Sequence, residues 1–188
     1  MPKLGMEPIR RAALVQATIA EIGEAGSLDV TVSKIAKRAG MSSALAHHYF
    51  GSKDDIFLAA MRHILRDYST EVRTHLAAAK TPLQRAEAII RANFAPSCFD
   101  PATVSAWMTF YARAQSNPDA LKLLTLYQRR LRSNLTHALR PISQTPRRDA
   151  DTLAALIDGL YIRAALTSPD ADPQGTALAL LQTLTRTP

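Results

Sequence analysis

The chain has 188 residues, of which 47% are hydrophobic and 21% charged, so it can bury a core and is not expected to be disordered. Its single cysteine excludes a disulfide framework and favours a reducing compartment, for which we expect the cytoplasm. The net charge of +7 suits a phosphate-rich partner, but residues 1–80 hold 11 Lys and Arg against 8 Asp and Glu, and residues 81–188 hold 12 against 8, so charge alone locates no site.

Apolar residues recur at helical spacing along the chain, and no alternating strand pattern of convincing length is present. Proline at helix starts, glycine after helix ends and serine or threonine N-caps mark the boundaries. The sequence therefore predicts an all-α fold with a break at residues 96–101. In chain order, the predicted helices span residues 9–25, 31–40, 43–49, 52–76, 83–94, 102–115, 119–139, 148–166 and 173–185.

Residues 31–53, with the sequence TVSKIAKRAGMSSALAHHYFGSK, predict two short helices, a tight turn between them at Gly40, and a new helix capped by Ser52. We expect Gly40 to supply the positive φ that such a turn needs. This is the arrangement of a helix-turn-helix, which places its second helix in the major groove of DNA. A second helix of about seven residues is roughly 10 Å long, which suits one groove.

The same stretch carries an ordered set of short matches: Thr31, Ile35-Ala36, Ala39-Gly40, Ser42, His48-Tyr49-Phe50 and Ser52-Lys53. As a set they resemble the tetracycline-repressor (TetR) family of regulators. The resemblance implies an N-terminal three-helix DNA-binding domain at residues 8–68, with its motif at about 31–50 and the start of a connecting helix. It implies a helical ligand-binding and dimerisation domain at residues 69–188.

By this resemblance the candidate DNA contacts fall into two classes. Residues expected to face the bases are Ser43, Ala44 and His47. Residues expected to lie against phosphates, either through side chains or at the N-terminus of the second helix, are Thr31, Ser42, His48, Tyr49 and Lys53.

Some residues of the second helix also have a structural interpretation. His48 and Tyr49 are the residues that could instead pack this helix on the next one, and Leu45 and Phe50 are assigned to the core. A metal site at His47 and His48 is not expected, because adjacent side chains diverge on a helix.

Two long helices with apolar stripes, at residues 119–139 and 148–166, are the candidate homodimer interface. In the TetR family such helices pack on their symmetry mates as a four-helix bundle. A two-fold dimer sets its recognition helices roughly 34–36 Å apart, or a multiple of that, and implies a palindromic site in double-stranded DNA. The alternative is that the stripes only close the core of the monomer, as Leu124, Leu131, Leu135 and Leu139 would do for the first helix.

Segments outside the motif carry a narrower resemblance, to the choline-sensing branch of the family, whose members repress genes of choline uptake and glycine-betaine biosynthesis. The segments are PKLGM followed by Ile9-Arg10-Arg11, and residues 106–112, 129–135 and 154–160. The resemblance implies a repressor that choline releases. The alternative within the family is a sensor of another organic cation or a lipophilic ligand.

A quaternary ammonium has no N–H to donate, so its recognition needs aromatic faces and a nearby negative charge. Asp158 is a carboxylate within an apolar helix and needs a partner, either a bound cation or, alternatively, Arg163 or a helix N-terminus. The aromatic residues that could form the walls of a cation cage, or alternatively only fill the core, are Phe94, Trp107, Phe110, Tyr111, Tyr127 and Tyr161.

Other functional classes have little support in the sequence. We find no glycine-rich phosphate loop, no cluster of metal ligands, and no nucleophile with a convincing base, so we expect neither an enzyme nor a bound cofactor. Nothing marks Cys98 as activated. No apolar run approaches the roughly 18 residues of a membrane span, and the N-terminus lacks the apolar core of a secretory signal, so no membrane partner is expected.

Overall fold

The computed structural model describes residues 5–27, 29–167 and 172–186. Within these ranges the backbone forms nine α-helices, one short 3₁₀ helix and no β-strand, so the all-α prediction is confirmed. The helices are α1 (Met6–Ala25), α2 (Val32–Arg38), α3 (Ser43–Phe50), α4 (Lys53–Ala78), α5 (Pro82–Asn93), α6 (Pro101–Ala114), α7 (Pro118–Leu139), α8 (Pro146–Thr167) and α9 (Pro173–Thr185). The predicted break after α5 contains the 3₁₀ helix, Pro96–Phe99.

Side-chain caps set the helix starts that the sequence predicted. The Thr31 hydroxyl accepts the Lys34 N–H at 3.2 Å at the start of α2. The Ser42 hydroxyl accepts the Leu45 N–H at 3.2 Å at the start of α3. Between these helices Gly40 has φ +67°, so the predicted positive φ is confirmed. Two short helices are thereby joined by a tight turn.

The chain divides into two compact units. The first contains the residues up to Arg66 together with Asp100–Lys122. In it, α1 packs against α2, α3 and α6. The largest side chains of its core are fully buried: Leu14, Ile22, Ile35, Ile56, Phe57, Met61 and Phe110. In α3 the buried residue is Ala46, whereas Leu45 and Phe50, both assigned to the core, are only half-buried because the short helix faces α1 and α2 over a narrow strip.

The second unit contains Asp67–Phe99 and the residues from Leu123 onward. In it, α5 packs against α8 and α9, and α8 packs against α9. The predicted leucine stripe of α7 points into this core, because Leu124, Leu131, Leu135 and Leu139 are all 8% exposed or less. The leucine stripe of α7 therefore closes the core of the chain itself, which was the alternative to a role in the dimer interface.

The boundaries of the two compact units differ from the predicted division of the chain at residue 68. Helix α6, which follows that position, belongs to the first unit because it packs along α1. The predicted functional boundary between residues 8–68 and 69–188 stays a prediction, since a compact unit is not by itself a functional domain.

Candidate DNA interface and ligand site

Helix α3 presents one polar face to solvent. Ala44, His47 and His48 are exposed, and their spacing of three and four residues places them on the same side of the helix. Ala46 is completely buried on the opposite side. Small and imidazole side chains therefore cover an outward surface of the size that fits a DNA groove.

The His47 ring is oriented by the end of its own helix. Its Nδ1 lies 2.8 Å from the carbonyl oxygen of Gly51, which stands just after α3 with φ +74°. A carbonyl can only accept a hydrogen bond, so Nδ1 carries the proton. In the neutral ring Nε2 is then an acceptor that faces outward, suited to the amino group of adenine or cytosine.

Two arginines of α1 lie against the C-terminal end of α3. Arg10 Nη1 donates to the Tyr49 hydroxyl at 3.4 Å. The Arg11 guanidinium lies 5.9 Å from the centre of the Tyr49 ring and 4.9 Å from that of Phe50. Tyr49 thus contacts α1, a neighbour that its structural interpretation did not include. Arg10 and Arg11 were predicted only as part of a family match, and their contact with Tyr49 was not predicted.

Several cations surround α3 without an intramolecular ion pair. Among the described residues, Lys34, Lys37 and Lys53 form none. Arg38 differs, because Glu21 accepts its Nε–H at 2.6 Å and Glu24 accepts from its Nη2. The surface next to α3 therefore keeps lysines available for phosphate, while the neighbouring arginine is neutralised.

The start of α4 is held at two points. The Asp55 carboxylate accepts the Ser52 hydroxyl at 2.6 Å, and the Asp55 N–H donates back to Ser52 at 3.1 Å, which caps the helix. Asp54 accepts Arg113 Nη2 of α6 at 2.5 Å and Asn117 Nδ2 at 3.3 Å. These bonds hold the start of α4, the helix end that carries Lys53.

The second unit contains a buried polar group around Asp158. The Tyr127 hydroxyl donates to Asp158 Oδ1 at 3.2 Å and lies 3.5 Å from Asn93 Oδ1. Buried Asn93 donates to the Ile89 carbonyl oxygen at 2.7 Å. The Tyr68 ring packs edge-on against Tyr127, with ring centres 5.7 Å apart. Tyr68 and Asn93 were not predicted, because a Tyr and an Asn at helical spacing carry no signal of their own.

Asp158 is half-buried, and its partners are neutral. Burial raises the pKa of its carboxyl from 3.8 to about 6, while hydrogen bonds from Tyr127 and Gln128 oppose that shift. The side chains that hydrogen-bond Asp158 in the described part of the chain are Tyr127 and Gln128, and the predicted alternative partner Arg163 is not among them. A carboxylate among aromatic rings whose hydrogen-bond partners are neutral can attract a cation.

The second unit contains further aromatic residues besides Tyr68 and Tyr127. The Tyr161 hydroxyl donates to the Cys98 carbonyl oxygen at 2.8 Å. The Phe99 ring lies 5.3 Å from the Tyr161 ring and stacks on Phe94 at 6.5 Å. Four predicted ligand residues thus belong to this unit: Phe94, Tyr127, Asp158 and Tyr161. Phe99, which was not predicted, joins them.

The other three predicted ligand residues lie on α6 in the first unit. Trp107 is 5.8 Å from both Phe110 and Tyr111, measured between ring centres. Phe110 is completely buried and packs on Phe57 at 6.4 Å. For Phe110 this is a core position, whereas the roles of Trp107 and Tyr111 in ligand binding stay predictions.

The remaining reactive side chains of the described ranges are possible metal ligands and the Cys98 thiol. No cluster of three His, Cys, Asp or Glu able to hold a metal occurs in the described ranges. Burial and the charge of Glu71 raise the pKa of the Cys98 thiol, so it stays protonated at neutral pH. Within the same ranges, no helix combines the length and apolar character needed to span a membrane.

Comparison with known proteins agrees with this geometry. Residues 14–60 match the model of bacterial regulatory proteins of the tetR family, and residues 82–187 match that of the BetI-type transcriptional repressor C-terminal domain. The HTH-type transcriptional regulator BetI of Brucella anthropi is 50% identical over 184 residues, covering 97% of this chain and 94% of that protein. The BetI of Rhizobium meliloti is 48% identical over 170 residues, covering 89% and 84%.

Solved structures share the fold. A TetR transcription regulator from Haloarcula marismortui superposes with a TM-score of 0.82 at 19% identity, covering 95% of this chain and 97% of its own. A transcriptional regulator from Saccharomonospora viridis, crystallised with choline, gives 0.78 at 22% identity, covering 90% and 92%.

The chain therefore belongs to the TetR family of bacterial transcriptional regulators, and its second half is a C-terminal domain of the BetI type. The predicted resemblance, both to the family and to its choline-sensing branch, is confirmed.

Proposed function

We propose that this protein is a repressor of genes for choline uptake and glycine-betaine biosynthesis, and that choline releases it from its operator. The observation that carries the choline assignment is Asp158, a half-buried carboxylate whose hydrogen-bond partners in the described part of the chain, Tyr127 and Gln128, are neutral. Choline is a permanent cation that offers no N–H donor, so aromatic faces and one carboxylate are the groups that recognise it.

On DNA, the exposed face of α3 enters the major groove. His47 and Ala44 read base edges there, and Ser43 lies at the start of the same helix. Phosphates on either side contact the Thr31 hydroxyl, His48, Tyr49 and Lys53, with the α1 arginines beside them. Base contacts supply the sequence preference, and phosphate contacts supply most of the salt-dependent affinity.

The repressor acts as a homodimer, and we place its two-fold interface on α8. The outward side of α8 carries exposed Ala155 and Gly159, which allow a copy of the helix to approach closely, and Leu166, which is 62% exposed. The other helix predicted for this interface, α7, buries its leucines inside the chain. A palindromic operator follows from the two-fold symmetry.

Helix α4 is the proposed connection between choline and DNA. Its residues up to Arg66 belong to the first unit and those from Asp67 onward to the second. Choline favours one state of the second unit, and α4 transmits that preference to the recognition helix. The loss of DNA affinity cannot exceed the ratio of choline affinities of the two states.

Footprinting on the DNA upstream of the choline-uptake and betaine-synthesis genes tests the proposal. We expect protection of a palindromic site, and its loss when choline is added, with betaine as the comparison. Protection that persists at saturating choline would leave a DNA-binding regulator with a different effector.

Calorimetry tests the ligand site directly. Asp158→Asn keeps the shape and the Tyr127 hydrogen bond but removes the charge, so choline affinity is expected to fall by at least about tenfold. The matched control is Asp151→Asn, an exposed carboxylate on the same helix, which leaves the affinity unchanged. Equal choline affinity in both variants would remove Asp158 from the site.

Another organic cation is the second candidate, because aromatic rings and one acid do not distinguish choline from larger cations. Calorimetry with tetramethylammonium and a bulky cationic dye separates the two. Tight dye binding without choline binding favours the second candidate.

A further inference from the structure

A run of basic residues lies on the second unit, outside the helix-turn-helix sequence. Between Arg129 and Arg148 the sequence has six arginines and neither Asp nor Glu. We propose that this arginine surface, formed by Arg129, Arg130, Arg132, Arg140, Arg147 and Arg148, binds the phosphate backbone of duplex DNA independently of sequence, as a second DNA contact besides the helix-turn-helix.

All six side chains lie at the protein surface. Arg129 and Arg132 of α7 are three residues apart, and Arg140, which directly follows the helix, is eleven residues from Arg129, so the three lie on one side of the helical path. They extend over roughly 16 Å, at 1.5 Å per residue. An array of this length reaches several phosphates of a duplex.

The arginine surface has almost no internal counter-charge. Arg132 is 3.5 Å from Asp151, but both side chains are 56% exposed, so water screens that pair. Asp149, near the start of α8, is buried and accepts the hydroxyls of Ser143 and Thr145. Within the described residues, the remaining five arginines form no ion pair. The positive potential is therefore available to an external anion.

Three of these arginines converge where α7 and α8 meet. An open depression of about 400 Å³ is lined by Thr136, Arg140, Thr145, Pro146, Arg147 and Arg148. The two threonine hydroxyls donate internally, to the Arg132 carbonyl oxygen and to Asp149. Guanidinium groups are thus the donors that a bound anion meets, and their planar geometry matches a phosphate.

The chemistry of the surface favours DNA over a membrane or a protein partner. The segment contains no Phe, Trp or Tyr, and Ile142 is half-buried, so it lacks the apolar groups that insert into a bilayer or anchor a protein interface. A duplex backbone needs only positive charge at a suitable spacing. On α8, Arg148 precedes Ala155 by seven residues and shares its side of the helix, whereas Arg129 and Arg132 lie on α7, so in the proposed α8 dimer the arginines along α7 are the part of the surface that stays open to DNA.

The test measures binding of a random 40-base-pair duplex as a function of salt. The background is Thr31→Ala with Lys53→Gln, which weakens the helix-turn-helix contacts. We expect residual binding there, and expect Arg129→Gln, Arg132→Gln and Arg140→Gln together to make the log–log salt slope shallower by roughly 2 to 3, at roughly 0.9 per phosphate. The matched control has the same charge change elsewhere on the second unit, at Arg73, Arg85 and Arg91.

Three outcomes overturn the proposal. The first is an equal salt slope for the triple variant and the control, and the second is no residual DNA binding by the background protein. The third is a triple variant that still binds DNA but no longer binds vesicles of phosphatidylcholine with phosphatidylglycerol. Replacing the three arginines by lysine keeps the charge and restores the slope, which separates a charge effect from a folding defect. Operator footprinting with the triple variant tells this failure apart from failure of the repressor assignment, because α3 is unchanged.

Discussion

Asp158 is the residue whose ionisation and proposed function depend most directly on its surroundings. Burial disfavours its charged form, and the donors that stabilise it, Tyr127 and Gln128, are neutral. The pKa of about 6 means that the carboxyl is mostly ionised at neutral pH and becomes mostly protonated as pH falls below that value. A bound cation would favour the ionised form and lower this pKa, so binding of choline and loss of the proton are linked.

Choline affinity is therefore expected to depend on pH. Above the pKa of about 6 the affinity is full, and it falls as pH decreases through that value, by about tenfold between pH 7 and pH 5. Choline does not titrate, so a change of its affinity with pH reports protonation of the protein. Calorimetry at several pH values measures it, with Asp158→Asn as the control that shows weak and pH-independent binding. An unchanged affinity at pH 5 in the wild-type protein contradicts the prediction.

Substitution of His47 and substitution of Lys53 are expected to weaken DNA binding in different ways. His47→Ala removes the oriented ring and should cost about 1–3 kcal/mol on the operator while leaving binding to random DNA nearly unchanged. Lys53→Gln should weaken binding to both DNAs alike and reduce the salt slope by about 1. Fluorescence anisotropy with the two duplexes measures both effects. If His47→Ala weakened binding to both duplexes equally, His47 would be a phosphate contact and not a base contact.

At the scale of elements, the packing of α1 on α6 depends on one position without a side chain. A Cβ placed on Gly23 would lie 2.5 Å from the Ala102 Cβ and 2.6 Å from its Cα, far inside van der Waals contact. Gly23 therefore allows α6 to pack closely on α1 in the first unit. The Asp54–Arg113 ion pair then links α6 to the start of α4 within the same unit.

Gly23→Ala is expected to destabilise the protein although alanine favours helices. The gain in helix propensity is at most about 1 kcal/mol, whereas forcing a methyl into a packed contact typically costs about 1–3 kcal/mol. Urea denaturation should show the net loss. Ala12→Ser, on the exposed side of the same helix, is the control and should change stability by less than about 0.5 kcal/mol. A stabilised Gly23→Ala would mean that α1 and α6 pack less closely.

At the scale of the whole molecule, the proposed repressor needs two copies of α3 on one operator. In the second unit, the exposed small residues of α8 form a side that a copy can approach, and Arg129 and Arg132 lie on α7 instead. The dimer and the α7 part of the second DNA contact are thus compatible, because they use different helices.

Gly159→Arg is expected to produce a folded monomer that no longer holds the operator. No neighbouring atom lies within 4 Å of a Cβ at Gly159 in the single chain, so the substitution should leave the fold of the monomer intact while placing a charge in the interface. Analytical ultracentrifugation measures the association state, and circular dichroism measures the helix content. Ser133→Arg, on the exposed side of α7, is the matched control and should remain dimeric. A dimeric Gly159→Arg would exclude this face.

Much of this protein is encoded locally. Periodic apolar residues, caps at Thr31 and Ser42, and a glycine for the positive φ at residue 40 determined the helices and the helix-turn-helix, because each of these signals acts within a few residues. The same local pattern identified Asp158 as a carboxylate in need of a partner.

Only the tertiary structure decided which distant residues meet. Two arginines of α1 lie on Tyr49, α6 joins the first unit, the leucine stripe of α7 points inward, and Asp158 contacts a tyrosine and an amide rather than an arginine. Helical periodicity tells which side of a helix is apolar, but it does not tell which neighbour covers that side. The neighbour is chosen by packing between residues far apart in the chain, where shape and close approach, as at Gly23, determine the free energy.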